Sequence, residues 1–188
     1  MHPAEHRALR ELGAFTGQLA RHWDALAARL GGDEATLLRA GAADGRALLA
    51  GLEPLIADRG LAARPAAQLA GAFVTPRPLP SDLLLEHNQA LRFAVLDVQH
   101  CVTLLGYLER LATADGDTAL GAFLGEWELR LRRHEDAVRA AAVALGDRPD
   151  EAIEPADRSV AGRAGQRLSS SFGAVGEWVD GRITLRRR

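Results

Sequence analysis

An aspartate and a histidine three residues apart, Asp97 and His100, interrupt the most apolar stretch of the chain, Leu91 to Leu111. On a helix that spacing places carboxylate and imidazole on one face, together with Phe93, Leu104, Tyr107 and Leu111. Charged groups in such surroundings are either paired or bound to metal. A second imidazole, His134, falls on the apolar stripe of the next helix, and a third, His22, on that of the first. These residue types suit a single zinc, iron or manganese ion held by Asp97, His100 and His134, with His22 or water completing the shell. Helical bundles commonly build such centres in their interior.

The pattern also supports a plainer reading. Two-metal carboxylate bundles use Glu-x-x-His on two helices, and this chain contains no Glu-x-x-His. Its one Asp-x-x-His is answered on the next helix only by Leu131-x-x-His134, so a two-metal cage is not expected. Asp97 hydrogen-bonded to His134 or His100, as a buried pair that fixes helix register, accounts for the same residues without a cofactor.

Other candidates carry less. Glu126, Glu128 and Glu135 each precede an arginine by four residues, the order of a self-paired, solvated helix face, and Glu128 and Glu135 lie off the apolar stripe. Cys101 falls among core positions and reads as a small buried hydrophobe. His2, His6 and His87 are expected at exposed or terminal positions. Ser169-Ser170-Ser171 lacks the Gly-x-Ser-x-Gly setting of an activated serine. Gly13-x-x-x-Gly17, Gly41-x-x-x-Gly45 and Gly121-x-x-x-Gly125 would each permit close helix crossing, within the chain or between copies.

The elements that must position these residues are helical. Apolar residues make up 47% of the 188 but aromatics only 5%, and alanine and leucine dominate, a balance that favours helix over strand. The first helix is predicted from Pro3 to Leu30, with its stripe at Leu12, Phe15, Leu19, His22, Leu26 and Leu30. Gly31-Gly32 ends it, and Asp33 caps the second, which Pro54 should kink or break. Residues 60–80 read as a proline-rich crossover, with a short helix from Pro65 to Phe73 and an extended run at 75–80. The third helix is predicted from Ser81 or Asp82 to Ala112, and its nearly all-round apolar middle argues for a central position. Asp115-Gly116-Asp117 turns the chain into a fourth helix that stops at Gly146. Residues 147–157 form an acidic loop, and the rest reads as a helix on the stripe Ala164, Leu168, Phe172, Val175, Val179 and Ile183, or as a hairpin around Asp180-Gly181. The expected fold is one all-α domain over 1–188, an antiparallel bundle of four main helices plus a C-terminal helical or hairpin segment.

Charge and composition narrow the functional classes. The net charge of −2 argues against nucleic-acid binding. All 23 basic residues are arginine, the mark of a GC-rich, bacterial codon usage. One cysteine and no leader-like N-terminus fit a cytoplasmic protein, and the charges within 91–111 argue against a membrane span. No nucleophile constellation, phosphate loop or pair of catalytic carboxylates stands out. The expectation is a non-enzymatic bundle acting through protein–protein contact, as a homodimer or on another protein, with Trp23, Trp127 and Trp178 among its exposed apolar surface. The mononuclear metal bundle, with zinc, iron or manganese, is the alternative, and the cofactor is otherwise left open by the sequence.

Overall fold

The computed structural model describes residues 2–60 and 85–157. Helix α1 (Pro3–Leu30) and α2 (Gly32–Asp58) form one antiparallel pair. Helix α3 (His87–Ala114) and α4 (Thr118–Ala144) form the other. A single 3-10 turn (Leu145–Asp147) and a one-turn helix α5 (Pro149–Ala152) follow. The four long helices surround one apolar core, α1 packing on α2 and α3, and α4 on α2 and α3. The expected all-α bundle is what the chain forms.

Local sequence sets the boundaries. His2 accepts from the amide of Ala4 at 3.1 Å and, with Pro3 at the first helical position, opens α1. Gly31 (φ 74°) ends α1 and is itself the N-cap of α2, so Asp33 sits inside the first turn instead of capping it, where its charge opposes the helix dipole's positive end. Pro54 neither breaks nor ends α2, which continues to Asp58. The proline lies on the exposed side near the last turns, where its missing amide is tolerated.

The start of α3 differs from expectation. Glu86 is extended (ψ 157°) and forms a capping box with Gln89, so the helix begins at His87 and not near Ser81. The extended backbone is held from outside: His87 N donates to Glu154 O at 2.8 Å and Ala156 N to Leu85 O at 2.9 Å. The acidic segment 147–157 is therefore a docked strap with a helical turn, and not a free loop. Asp115-Gly116-Asp117 makes the predicted turn, Gly116 at φ 75° and Asp117 accepting from Leu120 N at 3.0 Å.

The two hairpins are inverted. At one end Arg59, following α2, bonds Glu5 at the start of α1 (3.3 Å) and Asp117 in the α3–α4 turn (2.5 Å). At the other end His87 lies 3.9 Å from Glu34, in the first turn of α2. The α1–α2 turn and the α3–α4 turn thus occupy opposite ends, and α2 ends far from where α3 begins, as a crossover requires. The expected Pro65–Phe73 helix, the extended 75–80 run, the Ser81 or Asp82 cap and the helix or hairpin of the C-terminal segment lie outside the described residues.

Helix α3 is not central. It packs its inner side into the core between α1 and α4 and leaves Leu96 (56%) and Tyr107 (47%) exposed on its outer side. Four helices around one core leave no central place: Val98, Cys101, Val102, Leu105 and Leu108 turn inward, while Leu96 and Tyr107 remain at the surface. It is the one described helix long and apolar enough to cross a membrane, and its inner face is buried against α1 and α4.

Candidate functional site

The structure distributes the four candidate residues over three histidine–carboxylate pairs, each joining one hairpin to the other. Nδ1 of His22 on α1 donates to Oδ2 of Asp97 on α3, both groups largely buried. Nε2 of His134 on α4 donates to Oδ2 of Asp44 on α2 at 2.8 Å. His100 on α3 reaches Glu11 on α1 at 3.1 Å, half-exposed, with its ring 3.9 Å from that of Phe15. Asp97 and His22 are brought together; the hydrogen-bonding partners of His100 and His134 are Glu11 and Asp44, neither of which the sequence singled out. Among the described residues no group of three or more His, Cys, Asp or Glu side chains is placed to hold a metal ion.

The inversion of the hairpins explains the pairing. His22 lies nine residues before Gly31, and Asp97 ten residues after the start of α3. Because the α1–α2 turn sits at the end where α3 begins, these counts bring the two side chains level.

Asp44 is the most elaborated of the polar positions. Arg130 grips it with two bonds, Nε to Oδ2 at 2.8 Å and Nη2 to Oδ1 at 2.6 Å, beside the His134 bond. Burial works to raise the carboxyl's pKa, but the hydrogen bonds and charges of Arg130 and His134 outweigh it and hold Asp44 below its ordinary range. The Arg130 guanidinium, raised in turn by Asp44, also lies 4.9 Å from the centre of the Trp127 ring. Arg130 was expected to pair with Glu126, four residues before it, and bonds across to α2 instead. The other two predicted pairs form, Arg132 with Glu128 and Arg139 with Glu135. Glu135 is nevertheless buried on α4, and not on the solvated side assigned to it.

Trp23 follows His22 in sequence and meets His134 in space. It is fully buried, not the exposed ring the sequence suggested, and Trp127 is partly buried against the core; Trp178 lies outside the described residues. The indole meets His134 edge-on, ring centres 6.4 Å apart, and its six-membered ring lies where a side chain on Gly41 would be. At Gly45 an added methyl would stand 3.2 Å from Leu19 and 3.5 Å from Ala20. Gly41-x-x-x-Gly45 is thus a seat for α1 on α2, one of the two uses its spacing allowed. The indole Nε1 finds no acceptor among the described residues.

His87, expected at an exposed position, is buried between Glu34 (3.9 Å) and Glu151 (4.0 Å) where α2, α3 and α5 meet. The sequence placed it near the end of a longer helix, and the docked strap covers it. Cys101 is fully buried, accepts a weak bond from Thr16 Oγ1 at 3.9 Å, and burial pushes its thiol up to about 12. A thiol held in that form is a poor nucleophile and a poor metal ligand. Ser169-Ser170-Ser171 lies outside the described residues.

The arrangement joins the four helices through polar contacts, two of the pairs largely buried and the His100–Glu11 pair half-exposed. Compared with known proteins, the chain matches no family model, no curated protein and no solved structure.

Proposed function

We propose that this chain is a non-enzymatic helical bundle that works by protein–protein contact, as a homodimer, through the outer face of α3. The observation that carries the reading is the exposure of Leu96 and Tyr107, eleven residues or three helical turns apart and therefore on one face. Apolar side chains aligned along one side of a long helix suit a helix-to-helix contact with a partner. An α3 face docked antiparallel on its own copy would make the same residues meet in both directions, as a two-fold interface requires. The polar interior supports the same reading: His22, Asp97, Asp44 and His134 are engaged with each other across the hairpins, so they serve cohesion. A single metal ion held by Asp97, His100, His134 and His22 is the alternative, and it has less support because those residues belong to three separate pairs.

Sedimentation tests the proposal. The full chain, of 20.1 kDa, should sediment at twice that mass, and Leu96→Glu with Tyr107→Glu should return it to one chain while preserving its helical circular dichroism. A wild-type chain that remains a monomer at high micromolar concentration would sink it.

A further inference from the structure

The segment that follows α4 docks at the end of the bundle where α2 and α3 begin. Its attachment is small. Two backbone bonds, His87 N to Glu154 O at 2.8 Å and Ala156 N to Leu85 O at 2.9 Å, flank a single antiparallel bridge between Glu86 and Pro155. Ala156 is buried and Ala152 packs partly against the core. Helix α5 is one turn long, and a lone turn has little stability of its own, so contacts with α2 and α3 must hold it.

One buried side chain joins the three elements. His87 opens α3, and each ring nitrogen lies near a carboxylate of a different helix: Nε2 is 3.9 Å from Glu34 on α2, and Nδ1 is 4.0 Å from Glu151 on α5. The other oxygen of Glu151 is held by Arg148 at 2.6 Å, and the Glu86 carboxylate accepts from the backbone amide of Gln89. Asp147, Asp150 and Glu154, the other acidic groups of the segment up to α3's bridge, are exposed. An imidazolium donates from both nitrogens and so serves both carboxylates at once. A neutral imidazole has one N–H and leaves two like charges on either side of a buried ring.

We propose that His87 is a proton-operated clasp: as imidazolium it bridges Glu34 and Glu151 and holds the 147–157 strap on the start of α3, and on losing its proton it lets the strap go. The docked form is the one that needs the proton. Docking is therefore strongest at mildly acidic pH, where the carboxylates are still ionised, and weakens as pH rises through the titration of the histidine. Release uncovers the apolar contacts of Ala152 and Ala156 while the four long helices keep their shared core. The clasp is separate from the proposed contact face, whose Leu96 and Tyr107 are exposed further along α3.

Amide hydrogen exchange of the full chain tests the clasp, read by NMR between about pH 5.5 and 8 as protection relative to each amide's intrinsic rate. The amides of His87 and Ala156, bonded to Glu154 and Leu85, should lose protection several-fold across that range. Those of Val98 and Leu105, in the core of α3, should keep theirs. His87→Gln should show the weak, high-pH protection throughout, and Glu151→Gln, at a half-buried position, should flatten the pH dependence with the histidine still present. Protection at positions 87 and 156 that stays constant or rises with pH would overturn the proposal. So would a loss shared equally by Val98 and Leu105, or the same fall with pH in His87→Gln.

Discussion

Trp23 and the two pairs beside it occupy one level of the bundle, and each helix contributes there: His22 and Trp23 from α1, Asp44 and Gly41 from α2, Asp97 from α3, His134 from α4. Hairpin one supplies histidine then aspartate, hairpin two aspartate then histidine. The Trp23 indole occupies the space that a side chain at position 41 would need, which is why α2 carries glycine there. Gly41→Ala should therefore lower unfolding free energy by about 1–3 kcal/mol, read as a shift in the urea midpoint, with less loss in a Trp23→Leu background. Equal losses in both backgrounds would mean that the ring is not what excludes the methyl. A pH dependence belongs to the same level. Native Asp44 titrates below its ordinary 3.8, so its contribution is fully present above that value and disappears as pH falls through the lower native one. Between about pH 5 and pH 2 the wild type should lose more stability than Asp44→Asn, and parallel curves would contradict the paired carboxylate. The sequence exposed His22, Asp97 and His134 as oddities because each breaks an apolar stripe. Asp44 broke none, since it lies among Gly and Ala on a helix with a weak stripe, and its role depends on Arg130 and His134 eighty-six and ninety residues away.

At the scale of elements, helices α1, α2 and α4 were readable almost to their ends, because three-and-four spacing and Gly31, Gly116 and Asp117 are local signals. The beginning of α3 was not, because backbone bonds from Glu154 and Ala156 hold Glu86 extended and no nearby residue announces them. Nor was the orientation of one hairpin against the other, which fixes every histidine's partner and is written in contacts between distant residues. Arg59 is the clearest case. It lies just beyond α2, yet it joins the start of α1, the end of α2 and the α3–α4 turn through Glu5, Leu55 O at 3.1 Å and Asp117. Glu5 is buried, so Arg59→Met should cost about 3 kcal/mol by leaving that carboxylate unpaired. Adding Glu5→Gln should recover a good part of the loss in the same urea titration. No recovery would place the cost in Asp117 or in the Leu55 carbonyl.

At the scale of the molecule, the two hairpins are joined by polar bridges along their whole shared length: Arg59 at one end, His87 at the other, and three histidine–carboxylate pairs between. Such bridges fix how the hairpins face each other, a role apolar packing alone fills with less specificity. Among the described residues they engage His22, Asp97, Asp44 and His134 with one another across the hairpins. The proposed contact role and the metal-binding alternative differ in what they ask of these pairs: cohesion in the first, metal ligation in the second. The most direct test is elemental analysis of the full chain, purified without a histidine tag, incubated in turn with zinc, iron and manganese and then desalted. The bridged interior predicts far less than one metal per chain. About one equivalent, lost on His100→Ala or His134→Ala, would contradict it and make the buried pairs the ligands of a metal centre.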